Sequence, residues 1–154
     1  MSAALKRRFN IVVLPAPADI ATEMDIVKTR VAQLSAGLDL NAAQPDGDTV
    51  EKVVTIFREL RSGVTLDGKQ KLKSTSGVLS TAEAISLLAN SMALAGSFGS
   101  GTITAEDLAA ALQGAVVKDE EKDKLSWNEY LENVMKKRGS AWLPLYHACR
   151  ELEN

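Results

Sequence analysis

The 154-residue sequence has little of what most enzyme chemistry is built from. It holds one cysteine, Cys149, and one histidine, His147. A single cysteine closes no internal disulfide, and nothing points to an oxidising compartment. His147 and Cys149 stand two residues apart, so a metal site would need carboxylates brought from elsewhere. A Cys–His nucleophile pair is opposed by the register of Cys149, which falls on the apolar side of a helix and reads as core. No G-x-x-x-x-G-K-[ST] phosphate loop occurs. Gly96-x-x-Gly99-x-Gly101 is glycine-rich, but no lysine follows it, and it reads as a helix terminator and loop. No apolar strand ends in paired acids that would hold Mg²⁺. The chain alone is therefore expected not to hydrolyse a nucleoside triphosphate. No apolar run approaches the ~20 residues of a membrane span. The apolar part of Met1 to Leu14 is short, β-branched and without the small-residue cleavage site of a secretory signal. A cytoplasmic location is the expectation. A net charge of −2 excludes a global attraction to nucleic acid or to an anionic membrane. Internal repeats and low-complexity tracts are absent.

What is present is a soluble, globular composition, 45% hydrophobic and 25% charged. A chain this long buries about 70% of its unfolded surface, enough for one independent core. The clearest helix runs from Ala18 to Leu38, where Ile20, Met24, Val27, Val31, Leu34 and Leu38 step by three and four to form one apolar stripe. Asp19 and Glu23 fall in its first turn, where the helix dipole favours negative charge. A second helix is expected from about Thr49 to Arg61, opened by an Asp48/Glu51 capping box. Its inward face is Val50, Val53, Val54, Phe57 and Leu60, and Gly63 stops it.

The period then changes. Val64-Thr65-Leu66, Asp67-Gly68 and Lys69 to Lys73 read as a β-hairpin. A two-residue loop would pair Leu66 with Lys69. A three-residue loop would pair Val64 with Leu72 on one face, and is preferred for that reason. Lys69, Lys71 and Lys73 then line an exposed side. Four helices follow. Ser80 and Glu83 box the first, with Ile85, Leu88, Met92 and Ala95 inward. Thr104 caps the next, with Leu108, Ala111, Leu112, Ala115 and Val116 inward. Ser126 and Glu129 box the third, with a Trp127, Tyr130, Leu131 and Val134 stripe ended by Gly139. Ser140 caps the last, which carries Trp142, Leu145, Tyr146, Cys149 and Leu152 on one side and tolerates Pro144 in its first turn. The aromatics sit at helical spacing and read as core. Lys118 to Lys124 mixes both signs, and its acids Asp119, Glu120, Glu121 and Asp123 read as a solvated turn rather than an acid–base site.

The opening stretch is out of keeping with this. Leu5-Lys6-Arg7-Arg8-Phe9 precedes Asn10-Ile11-Val12-Val13-Leu14-Pro15, an apolar, β-branched run that reads as a strand buried on both faces. Such a strand belongs inside a sheet, yet the remainder is helical. The stretch resembles the end of the nucleotide-hydrolysing core of MoxR-like AAA+ ATPases, where a Pro-x-Ala-Leu-x-x-Arg-Phe segment precedes the last core strand and a helical lid. Ala4, Leu5, Arg8 and Phe9 match that segment. The similarity continues through Phe57-Arg58-Glu59-Leu60-Arg61-Ser62-Gly63 and Leu79-Ser80-Thr81-Ala82-Glu83-Ala84.

The pattern reads as a mainly α fold, a bundle of about six helices with one inserted β-hairpin at 63–74 and an N-terminal strand remnant, which matches the lid that the resemblance implies. Residues 1–16 would be what remains of the core, and residues 17–154 the lid. The resemblance implies a parent that binds ATP and Mg²⁺, forms a homo-oligomeric ring, remodels partner proteins, and works beside a von Willebrand A-type domain protein. Arg8 would be the arginine finger acting in trans, with Arg7 as its substitute; both also read as a solvated basic terminus. The family's second arginine sensor belongs in a Ser-Pro-Arg-Ala type motif. Here Ala82 stands where that arginine is expected, so nucleotide sensing by the lid is in question. Two other readings stay open. One is a free-standing helical interaction module with the hairpin as contact surface. The other is a winged-helix-like nucleic-acid binder using Arg58, Arg61, Lys69, Lys71 and Lys73, against which edge lysines are a common guard against aggregation.

Overall fold

The apolar spacing does produce helices. The computed structural model describes residues 17–38 and 41–152, and among them six α-helices form. They are α1 (Ile20–Gly37), α2 (Gly47–Ser62), α3 (Thr81–Phe98), α4 (Ala105–Val116), α5 (Lys122–Asn133) and α6 (Leu143–Glu151). Two 3₁₀ turns, Met135–Lys137 and Ser140–Trp142, lead from α5 into α6. The mainly helical class and the helix number agree with expectation. Arg7, Arg8 and the strand from Phe9 to Leu14 lie outside the described residues.

α1 and α3 form the spine. They run the same way: Thr81, at the start of α3, bonds Glu23 near the start of α1, and Gly96, near the end of α3, abuts Asn41 just past the end of α1. α2 packs on both, α4 packs on α3, and α6 packs on α4 and α5. The core is continuous across all six, from Val27 and Val31 through Val53, Ile56, Phe57, Leu88 and Met92 to Leu112, Trp127, Leu131 and Leu145. Trp127 and Tyr130 are buried there and stack at 5.8 Å, so they are core, as their spacing implies. The far end of the α1 stripe is different: Leu34 and Leu38 are exposed.

The hairpin is not formed. Among the described residues no strand exists, and the 63–74 stretch holds one isolated antiparallel bridge, Val64 to Lys71. The Thr65 N–H donates to Gln70 O at 2.9 Å and the Leu72 N–H to Gly63 O at 2.8 Å. This pairing is in step with Leu66 facing Lys69, the two-residue register, and not with Val64 opposite Leu72. Side chains explain the difference. Thr65 Oγ1 donates to Asp67 Oδ1 at 2.6 Å and accepts from the Gln70 N–H at 3.1 Å. The Leu66 N–H is taken by the carboxylate of Glu59 at 2.8 Å. Gly68, at φ +72°, closes the turn by donating to Thr65 O. Groups that would extend a ladder are therefore engaged locally.

Three caps also differ from expectation. α2 starts two residues earlier in the sequence, with Asp46 accepting from the Thr49 N–H at 2.7 Å, while Asp48 pairs with Lys52. α5 begins at Lys122, so Ser126 lies inside it and donates to Lys122 O. Ser140 opens a 3₁₀ turn without a side-chain cap. The Ser80/Glu83 box and the Thr104 cap form as read.

Candidate functional site

The last turn of α2, Phe57-Arg58-Glu59-Leu60-Arg61-Ser62, organises the surrounding elements. Phe57 and Leu60 point into the core. The three charged residues between and after them fan out in two directions.

Arg58 and Arg61 reach towards α1 and α3 and meet on Glu23, which is fully buried. Arg58 Nη1 donates to Glu23 Oε2 at 2.7 Å, and Arg61 Nη2 donates to both carboxylate oxygens at 3.2 and 3.0 Å. Arg61 Nη1 adds a contact at 3.3 Å and Thr81 Oγ1 a fifth bond at 2.8 Å. Burial pushes the Glu23 carboxyl up, but donation from Arg61, Thr81 and Arg58 outweighs it and holds the group below its ordinary value. The guanidiniums also bind backbone. Arg61 holds Leu79 O at 2.9 Å, where Leu79 sits at φ +47° just ahead of α3. Arg58 holds Pro17 O at 3.0 Å and Ala18 O at 2.9 Å, on the segment leading into α1.

Glu59 faces the other way. Its carboxylate, also fully buried, accepts from Tyr130 Oη at 2.6 Å, from Arg138 Nη2 and from the Leu66 N–H. Burial and then the Glu59 charge push the Tyr130 phenol well above its usual value, so it stays a neutral donor. Arg138 is steadied by the Trp142 ring, 4.7 Å from guanidinium carbon to centroid. α2, the 63–72 loop, α5 and the chain before α6 are thus joined at one side chain.

These carboxylates are saturated with donors and none is free to accept a substrate proton. The turn is mechanical: it fixes elements against one another. Sequence reading placed Glu23 as a dipole partner and Arg58 and Arg61 as the basic flank of a hairpin. The signal available was register: Glu23, Val27, Val31 and Ser35 are one stripe of period four, and all four are buried. With both arginines drawn into ion pairs, the exposed basic set shrinks to Lys69, Lys71 and Lys73, of which Lys69 pairs with Asp67 and Lys73 with Glu129.

The other candidates do not converge. His147 is exposed and Cys149 buried. Gly96-x-x-Gly99-x-Gly101 ends α3 and turns back, with Gly101 O accepting from the Ala43 N–H at 2.7 Å. Asp123 is buried, contrary to the solvated-turn reading. It accepts from the backbone N–H groups of Ser76, Lys118 and Asp119 and from the Ser76 hydroxyl. Burial opposes its ionisation, but these donors bring it down to about 2. Among the described residues no cluster of His, Cys, Asp and Glu is arranged to hold a metal ion. No helix among them is long and apolar enough to cross a membrane. Ala82 is exposed in the first turn of α3, in a cleft of about 410 Å³ shared with Arg30, Gln33, Leu34, Ile85 and Ser86.

Comparison with known proteins accounts for the bundle. The chain is 30% identical over 153 residues to the uncharacterized protein YehL of Escherichia coli (strain K12), a match covering 99% of this chain and 41% of the relative. The chain thus spans about two fifths of the length of that relative. No solved structure matches. Residues 21–154, which include every described helix but for the first residue of α1, match the family of YehL-like AAA+ ATPase C-terminal domains, and to that family the chain belongs.

Proposed function

We propose that the chain acts as the lid of a MoxR-like AAA+ ATPase, covering nucleotide held on a core and passing its state to the neighbouring subunit of a homo-oligomeric ring. The observation that carries this is a pairing: a C-terminal AAA+ domain over residues 21–154, and no phosphate loop in the sequence. ATP, Mg²⁺ and the hydrolytic groups would come from the core. Arg8 would be the finger, its planar and permanently charged fork placed against the neighbouring subunit's γ-phosphate, with Arg7 as substitute. The work done would be remodelling of partner proteins in the cytoplasm, beside a von Willebrand A-type domain protein.

The test compares ATP turnover by this chain and by a form carrying a core. The chain alone should show none. With the core, Arg8→Ala should lower kcat by about 10³-fold or more while nucleotide Kd stays unchanged. Turnover by the chain alone, or an Arg8→Ala variant as active as its parent, is the contrary result.

A further inference from the structure

We infer that the outer edge of the 69–73 stretch is a docking site for an extended, acidic segment of a partner protein, which joins it as an added β-strand. This surface stands apart from the lid reading and does not depend on it.

The isolated bridge fixes which way the backbone points. The Thr65 N–H bonds Gln70 O and the Leu72 N–H bonds Gly63 O, so Val64 and Lys71 are a non-hydrogen-bonded antiparallel pair. In such a pair the N–H and C=O of each residue turn away from the facing chain. Gln70 and Leu72 therefore bond inwards, and Lys71 is left to bond outwards. No turn or bend interrupts residues 69–75, so Lys73 repeats the orientation of Lys71. Among the described residues neither Lys71 nor Lys73 makes a backbone hydrogen bond, and both are exposed. Their N–H and C=O groups stand in a row, spaced to receive another strand.

Side chains decide which strand it takes. Lys69, Lys71 and Lys73 share one exposed face, while Leu72, on the other, packs against the core. Asp67 faces Lys69 at 3.7 Å and Glu129 faces Lys73 at 2.7 Å. Both ion pairs are exposed, and pairs of that kind hold weakly enough for an incoming carboxylate to displace them. Lys71, between them, is in no ion pair among the described residues. A second copy of this chain would set lysine against lysine, which opposes pairing. A strand with acids at alternate positions sets them against the lysines, and its apolar residues then fall on the face of Leu72.

The experiment follows amide exchange in the isotope-labelled chain as a blocked octapeptide of alternating glutamate and valine is added. Exchange should slow by about tenfold or more at Lys71 and Lys73, with Gln70 and Leu72, already bonded inwards, changing little. The same peptide N-methylated throughout keeps its carboxylates but loses its donors, and should give no such protection. Lys71→Glu should weaken binding of the unmethylated peptide by about fivefold or more while the melting temperature stays unchanged. An octapeptide of alternating lysine and valine should not bind. Failure of the acidic peptide to bind overturns the inference. So does equal binding of its N-methylated form, which would mean attraction by charge without strand addition. Protection of Lys71 and Lys73 that grows with the concentration of the chain alone would name a second copy as the occupant, and overturns it too. None of these readings involves ATP turnover, so their failure leaves the lid reading untouched.

Discussion

A carboxylate taken out of water has to be met by donors, and at Asp123 three backbone N–H groups and one hydroxyl meet it. The group is held near 2, below the 3.8 it has when free. A depressed folded value means stability that is present above about pH 4 and is lost as the pH falls towards 2. Melting temperature should therefore drop steeply across that interval, and Asp123→Asn should flatten the acid limb while costing about 1–3 kcal/mol at neutral pH, because donors are left facing an amide. A melting curve series in which the variant keeps the parent's acid limb would argue against this. Asp123 also shows why local reading failed at buried acids. It precedes Trp127 by four residues and so lies on the apolar stripe of α5, as Glu23 lies on that of α1. Register marks such a residue as inward, but its partners are remote: Arg58 and Arg61 are 35 and 38 residues from Glu23, and Tyr130 and Arg138 are 71 and 79 from Glu59. Nothing in a four-residue window names them.

Helix existence was legible in the spacing because a stripe needs only the helix itself. Helix starts were legible where one cap had no rival, as at Ser80 and Thr104. Where two acids offered caps two residues apart, Asp46 takes the Thr49 N–H and Asp48 pairs with Lys52 instead. The glycines separate in the same way. Gly96 and Gly114 both lie inside helices, α3 and α4. A Cβ on Gly96 would sit 2.7 Å from Asn41 O, a backbone atom, whereas one on Gly114 meets nothing within 4 Å. Gly96→Ala should destabilise by about 1–2 kcal/mol, overpacking outweighing the gain in helix propensity. Gly114→Ala should stabilise by about 0.5–1 kcal/mol. Urea midpoints moving in the same direction for both would mean that the close approach of α3 to the chain after α1 is not as described.

At the scale of the whole molecule, the last turn of α2 divides the bundle into two sets of contacts. Through Arg58, Arg61 and Glu23 it holds the entering chain, α1 and the start of α3. Through Glu59 it holds the 63–72 loop, α5 and Arg138. Glu59→Gln keeps the shape and removes the charge, setting an amide N–H₂ against donors that remain in place. Removing one side of a buried ion pair costs about 3–5 kcal/mol. At a urea slope of about 1–3 kcal/mol per M, the midpoint should fall by at least about 1 M. The pattern matters more than the size. Amides of the loop and α5 should exchange faster relative to those of α1 and α3, because Glu23 still ties the latter to α2. Glu23→Gln should give the reverse pattern, with the first turns of α1 and α3 opening before α5. Hydrogen exchange followed residue by residue reads both. If every helix gains exchange alike in both variants, the turn is one support among many rather than the junction of two halves.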